Sequence, residues 1–392
     1  MHVCKKPGHA CYRKIVSFVQ HPLRTLYRRG GRAIKILLNC KVKHWSVTNL
    51  KVATTEVREA FNQLVESPIC VCCGKAIDSD SISMLVVDAA QMYEVIPRET
   101  VISNARVLIS RIRSDQGVLV WHTPHLAGHV CRKPPVVPMA SSWYDGVTMI
   151  AVIALVLAQC IVFCGGFTWE QLDGVPIGGV LSSVLAGLVL GMAEERWEAL
   201  WPHEYHFRYL PPGQTRSQTF AALRYEDDLL LGTRSICNVD KHGCLEKVSK
   251  WVYPVEFDPS DRGRQCIWTD LHITALGGNE IRIQPKQASM ISFWTDMVND
   301  KLNVSTPPWL DCYVRDPTIL SGMLAGRLSR LNQMQLSPRV YMEAIACDVI
   351  KWLIAGYPVR VLEALYRPVR VVGAQHVRKF LCRIKERVRL AP

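Results

Sequence analysis

Two groups of acids in this chain each interrupt an apolar stretch. Asp88 follows Leu85-Val86-Val87, and Asp227 and Asp228 sit inside Leu223-Arg224-Tyr225-Glu226-Asp227-Asp228-Leu229-Leu230-Leu231. Desolvating a carboxylate is costly, so acids on apolar strands need partners. A divalent cation is the natural partner, because hard oxygen ligands suit Mg²⁺. Two ions bridging three carboxylates would activate an attacking hydroxyl and stabilise a leaving phosphate. Adjacent aspartates on a strand point to opposite faces, so only one of Asp227 and Asp228 shares a face with Asp88 unless a tight turn intervenes. Taken alone, the Asp-Asp pair is better read as an exposed acidic hairpin tip.

The stretch between the two groups changes that reading. Gln171-Leu172-Asp173-Gly174-Val175-Pro176-Ile177-Gly178-Gly179-Val180-Leu181-Ser182-Ser183 is a glycine-rich loop opening a helix. Such a loop lets backbone approach a substrate closely. Alone it is a weak signal. In the order Asp88, glycine loop, Tyr225-Glu226-Asp227-Asp228, it is a strong one.

In that order the sequence resembles the reverse transcriptases. Val87-Asp88-Ala89-Ala90-Gln91-Met92-Tyr93 looks like their first palm motif, Gln171 to Ser182 like the second, and Tyr225-Glu226-Asp227-Asp228 like the third. The match is closest to the Penelope-like, telomerase-related group. Val255-Glu256-Phe257 with Trp268-Thr269-Asp270-Leu271-His272-Ile273 looks like that group's fourth region, and Gly356-Tyr357-Pro358 like its thumb. The resemblance spans about residues 83 to 365. It implies a right-hand polymerase, with fingers and palm built on an antiparallel sheet and helices, then a helical thumb. It implies a nucleotidyltransferase, an RNA-directed DNA polymerase from a retroelement, with RNA template, DNA primer, dNTPs and Mg²⁺ or Mn²⁺.

Roles carry over residue by residue. Asp88, Asp227 and Asp228 would be catalytic and hold the ions, with the Ala89 carbonyl as a further ligand. Tyr93 would press on the sugar and select deoxynucleotides. Gln171, Gly174 and Ser182 would line the nucleotide pocket. Tyr225 and Gly178 would meet primer and template. The chain departs from the family in places, Ile177 standing where relatives often have Gln or Met. Glu226 stands where a small or apolar residue is usual, a fourth acid near the ions. No motif marks the cations that grip the triphosphate; Arg106, Arg111, Arg113 and Lys133 are candidates.

The elements that must position these groups read from pattern. Ser83 to Val87 is a strand, followed by a helix over about 97–114. A Pro- and His-rich loop covers 123–138. A core helix over 147–158 leads to a hairpin of 160–164 with 167–171. A helix runs over 181–200 with Ser182 and Ser183 as candidate caps. Another spans 244–252, and 267–283 alternates like a hairpin. Strands and helices mixed in the middle, then helices alone, give an α+β class. The expected organisation is a basic extension over 1–60, fingers and palm over 61–285, and a helical thumb with a basic tail over 286–392.

The chain has 392 residues, 49% hydrophobic and 21% charged, which supports a sizeable core and excludes a disordered tail. Its formal net charge of +13 points to a polyanionic partner, nucleic acid or an anionic membrane. The charge is uneven: residues 1–55 hold twelve Lys or Arg and no acid. In the thumb, Arg327 and Arg330 recur with Arg360, Arg367 and Arg370 at helical spacing and are candidates for backbone phosphate contacts. The acid-free start fits an organelle transit peptide, but Pro7, Pro22 and Gly30-Gly31 would break a long amphipathic helix. The family's chromosomal habit points instead to a nucleus.

Fifteen cysteines with no secretory signal ahead of them indicate a reducing compartment. Cys70, Cys72 and Cys73 cluster, as do His122, His125, His129 and Cys131, at spacings matching no zinc pattern, so free thiols and loop histidines are expected. Residues 146–169 carry no charge until the run ends and are long enough to span a membrane. Gln159 and the turn pair Gly165-Gly166 favour a core helix and hairpin instead, so no membrane is expected. Two rivals stand beside the polymerase: a catalytically inactive or domesticated polymerase fold that grips nucleic acid, and a protein anchored through 146–169.

Overall fold

The structure, a computed structural model, describes residues 2–4, 12–14, 22–47, 50–77, 80–123, 126–159, 161–164, 167–176, 179, 181–238 and 243–285, with six positions beyond (331, 341, 344, 345, 347 and 352). A two-stranded antiparallel ribbon, β1 (His2–Cys4) and β2 (Tyr12–Lys14), precedes helices α1 (Arg24–Lys41) and α2 (Leu50–Asn62). Then come β3 (Ser83–Ala89), α3 (Met92–Val95), α4 (Arg98–Ile109), β4 (Gln116–Trp121), β5 (His129–Arg132), β6 (Ser141–Asp145) and α5 (Gly146–Ala158). The hairpin β7 (Ile161–Cys164) and β8 (Phe167–Glu170) leads to α6 (Ser182–Ala199). The short α7 (Arg216–Thr219), β9 (Phe220–Tyr225), β10 (Asp228–Thr233) and α8 (Cys244–Val252) follow. Last come β11 (Phe257–Gly263), β12 (Gln265–Trp268), β13 (Leu271–Gly277) and β14 (Glu280–Pro285). This is a mixed α/β fold with antiparallel sheets.

The chain divides into two compact units. The first comprises Met1–Val47, Glu59–Cys266 and Ala275–Glu280. Its centre is a four-stranded antiparallel sheet ordered β11-β3-β10-β9. The two central strands and β9 are buried along nearly their whole length, which is why they read as apolar runs rather than alternating patterns. β11 is the exposed edge, and Pro259 with a register shift before Asp261 sits there, where a missing ladder donor does least harm. The second unit comprises Thr48–Arg58, Ile267–Thr274 and Ile281–Pro392; in it Ala344, Ile345, Cys347 and Trp352 are buried.

Helices complete the first unit's core. α6 is apolar around most of its circumference, and eleven of its residues are buried, with exposure confined to positions near its ends such as Ser183, Arg196 and Ala199. α5 is short, its Thr148 N–H capped by Asp145 Oδ1 at 2.7 Å, and its residues Met149, Val152, Ile153, Val156 and Leu157 join the same core. Among the described residues no helix is long and apolar enough to cross a membrane.

Three sequence expectations are corrected. Gly30-Gly31 do not break a helix; both lie inside α1, whose face of Tyr27, Ile34, Leu37 and Leu38 is buried in the core. A Cβ on Gly30 would lie 2.7 Å from Val152 Cγ1, so the glycine is there to let α1 and α5 close up. The Pro- and His-rich stretch is not all loop: His129–Arg132 forms β5, paired with β4 in the sheet β5-β4-β6. Ser182 and Ser183 do not cap α6. The N-cap is Leu181, and the Ser182 hydroxyl turns back to donate to the Pro176 carbonyl.

Candidate active site

β3 and β10 pair antiparallel with Asp228 opposite Asp88. β9 and β10 pair with Tyr225 opposite Asp228, so Glu226 and Asp227 form a two-residue turn. This is the tight turn that the adjacent aspartates require. Asp227 leaves the strand, and one carboxylate oxygen from each of Asp88, Asp227 and Asp228 lies within 4.8 Å of the others. All three are half-buried. The turn is tied to β3 by the Ala89 N–H donating to the Asp227 carbonyl at 3.1 Å. Asp258, on β11, stands in register with Asp88 from the other side, an acid that the strand pattern of the sequence did not reveal.

The donor set is all carboxylate oxygen, which fits a hard divalent ion such as Mg²⁺ or Mn²⁺. Glu226 is exposed and is not among the three clustered acids. Its backbone, at φ +55°, is in the left-handed region, so it serves the turn through its main chain.

Behind the turn lies a buried polar network. Arg224 is 1% exposed and Glu194, on α6, is fully buried. Arg224 Nε donates to Glu194 Oε1 at 2.5 Å, and its Nη1 donates to the Glu226 carbonyl at 3.0 Å. The other acceptances by Glu194 come from the Trp45 N–H at 2.7 Å and the Tyr253 hydroxyl at 2.8 Å. Burial first, then the Glu194 charge, pushes the Tyr253 phenol well above its ordinary value, which keeps it a donor. The Trp45–Val47 segment also pairs with β9: Arg224 N–H donates to Trp45 O and Val47 N–H to Arg224 O, both at 2.8 Å. One guanidinium therefore couples the central helix to the carbonyl of the acidic turn. A lone arginine inside an apolar strand was the only sequence signal for it.

The glycine loop meets the first motif through backbone. Gly174 has φ +75°, and a Cβ there would lie 2.5 Å from the Tyr93 carbonyl and 2.7 Å from that of Glu94. The Val175 N–H donates to the Tyr93 carbonyl at 2.6 Å. Arg98, at the start of α4, clamps the loop, donating to Gly174 O at 3.2 Å and to Gln171 O. The Gln171 amide donates to Asp173 O at 2.7 Å. Gln171 and Ser182 thus both shape the loop, and Tyr93 is half-buried on α3 beside it. Arg98 belongs to no motif, and nothing in the local pattern of the sequence marks it.

Ala89 is buried at the end of β3 and Tyr225 half-buried at the end of β9. Gly178, Arg327 and Arg330 lie outside the described residues. Of the candidate triphosphate cations, Arg111 pairs with Glu195 at 2.6 Å and Arg113 with Asp115 at 3.4 Å. Lys133 sits over the Trp143 ring at 5.6 Å, and Arg106 is exposed on α4.

No family model matches the chain, and no curated protein does. Solved structures with a similar course of the chain include an apo telomerase from Candida tropicalis truncated from its C-terminal domain, at TM-score 0.40 and 16% identity over 68% of this chain and 46% of that one. A telomerase from Candida albicans in complex with a fragment of telomeric RNA gives TM-score 0.43 and 11% identity over 93% and 59%. A Sicinivirus RNA-dependent RNA polymerase gives 0.34 and 12% over 71% and 48%. The chain spans roughly half the length of these proteins, from 46% to 59%.

Proposed function

We propose that the chain is an RNA-directed DNA polymerase of right-hand architecture, extending a DNA primer on an RNA template with dNTPs. The observation that carries this reading is the convergence of Asp88, Asp227 and Asp228 within 4.8 Å. The packing of the Gly174 backbone against Tyr93 supports it, because two further segments of the motif order meet at close range. Bound by the three carboxylates, Mg²⁺ or Mn²⁺ would sharpen the primer hydroxyl as a nucleophile and neutralise charge on the leaving pyrophosphate.

The remaining work falls to the chain itself. Asp88, Asp227 and Asp228 would hold the ions, with the Ala89 carbonyl as a further ligand, and so place them against the reacting phosphate. Tyr93 stacks against the sugar and excludes a 2′-hydroxyl. Gln171, Gly174 and Ser182 shape the floor of the nucleotide pocket, and Tyr225 supports the primer end. Chromosomal DNA in a nucleus is the setting this reading implies.

The test is primer extension on an RNA–DNA hybrid with Mg²⁺ and dNTPs. The wild-type chain is expected to extend the primer. Asp227→Ala is expected to keep its fold and shift the hybrid on a gel, yet make no product. Extension by the mutant at the wild-type rate defeats the mechanism. A wild-type chain that shifts the hybrid and extends nothing favours a binding-only protein.

A further inference from the structure

We propose that Cys70, Cys73, Cys237 and Cys244 hold one structural zinc ion. Their four sulfurs all lie within 4.8 Å of one another, with Cys73 Sγ and Cys237 Sγ at 3.8 Å. A tetrahedral zinc with bonds of about 2.3 Å places its sulfurs about 3.8 Å apart. A disulfide needs sulfurs at about 2.05 Å, so the pair is not one.

The backbone around the sulfurs is built for thiolates. Cys70 and Cys73 frame a tight turn: Cys70 N–H donates to Lys75 O at 2.7 Å and Gly74 N–H to Cys70 O at 2.8 Å. Gly74 follows at φ +74°, and a Cβ there would lie 2.9 Å from the Tyr209 ring, so the turn needs glycine. Two N–H groups point at sulfur: Cys237 N–H to Cys70 Sγ at 3.3 Å and Cys244 N–H to Cys237 Sγ at 3.4 Å. Four adjacent sulfurs cannot all ionise without a cation among them, and soft thiolates select zinc over magnesium.

The place of the cluster gives its role. Val71 N–H donates to Ser235 O at 2.9 Å and Ser67 N–H to Arg234 O at 3.2 Å, so the segment ahead of β3 runs beside the chain leaving β10. Ser83 pairs with Thr233 at this end of the two strands, while Asp88 pairs with Asp228 at the other. Five residues of strand separate the two ends by about 17 Å. A closed four-sulfur site is structural rather than catalytic. The ion clamps one end of the β3–β10 pair whose other end carries the acids. The zinc pattern escaped the sequence because Cys70 and Cys73 supply only half the ligands; Cys237 lies 164 positions beyond Cys73.

Elemental analysis of the full chain, purified without chelator and dialysed, is expected to give one zinc per chain. Cys72→Ser, at a cysteine outside the cluster, should retain it, and so should Asp227→Ala. Cys237→Ser and Cys244→Ser should fall to background. Cobalt exchanged into the wild-type chain should show the thiolate charge-transfer and intense visible bands of a tetrahedral four-sulfur site, a reading that stands even where a cysteine variant fails to fold. Wild-type protein that takes up neither zinc nor cobalt, that holds iron instead, or whose zinc is lost equally in Cys72→Ser overturns the site. None of these readings depends on polymerase activity, so the site and the proposed reaction can fail separately.

Discussion

Glu226 is the residue at which charge and backbone geometry make opposite claims. Its charge, beside two aspartates, suggests a metal ligand. Its conformation, at φ +55° on an exposed turn, suggests a position that glycine would fill better. The left-handed region costs an L-residue about 1–2 kcal/mol. Glu226→Gly is therefore expected to stabilise the chain by about 1 kcal/mol, read as a higher urea midpoint, and to leave primer extension intact. A collapse of extension would assign the carboxylate to the reaction. At this scale the acids were legible because each ends or interrupts an apolar strand. Arg98 and Arg224 were not, because an isolated arginine has no spacing partner and its bonds go to carbonyls far along the chain.

Arg111 shows how elements are held around the site. It lies just past α4, forms two contacts with Glu195 on α6 at 2.6 and 2.8 Å, and donates to the last carbonyl of α1, Lys41 O, at 2.8 Å. Arg111 holds the Glu195 carboxyl below its ordinary value, first by hydrogen bonding and, against some burial, by charge. A depressed folded value means that the unfolded chain takes up the proton first. The pair's stabilisation is thus present at neutral pH and lost as pH falls through the carboxylate range. Glu195→Gln is expected to cost about 1 kcal/mol at pH 7, the upper end for a partly exposed pair, a cost that vanishes once the pH is below the lowered value of the folded carboxyl. A cost that does not change with pH would mean that shape, not charge, carries the contact. Among elements, β3, β9, β10, α5 and α8 were legible from apolar runs and their bounding turns. The strand β5 was hidden by the prolines around it, and the unbroken length of α1 by Gly30-Gly31, of which Gly30 serves contact with α5 rather than a turn.

For the molecule as a whole, charge is the property that the sequence states most directly. The formal balance is +13, and exposed cations such as Arg24, Arg28 and Lys35 line the outer side of α1 while its apolar face is buried. Binding to an RNA–DNA hybrid should accordingly release counterions. Raising salt from about 50 to about 200 mM is expected to weaken binding about a hundredfold if about four phosphates are neutralised. Fluorescence anisotropy across that range checks it, and a flat response would deny a backbone grip. The thiol cluster lies at the opposite extreme of legibility, since no local spacing announces ligands drawn from two distant turns.

Asp88 and Asp228 face each other across neighbouring strands, yet 228 − 88 = 140 positions separate them along the chain. While a ribosome is still making this protein, Asp88 emerges long before its counterpart exists. A product released ahead of β10 leaves β3 without its central neighbour and lacks Asp228, so it cannot assemble the three-acid cluster. The three-acid site therefore requires β10 to be made and paired with β3 before it can exist.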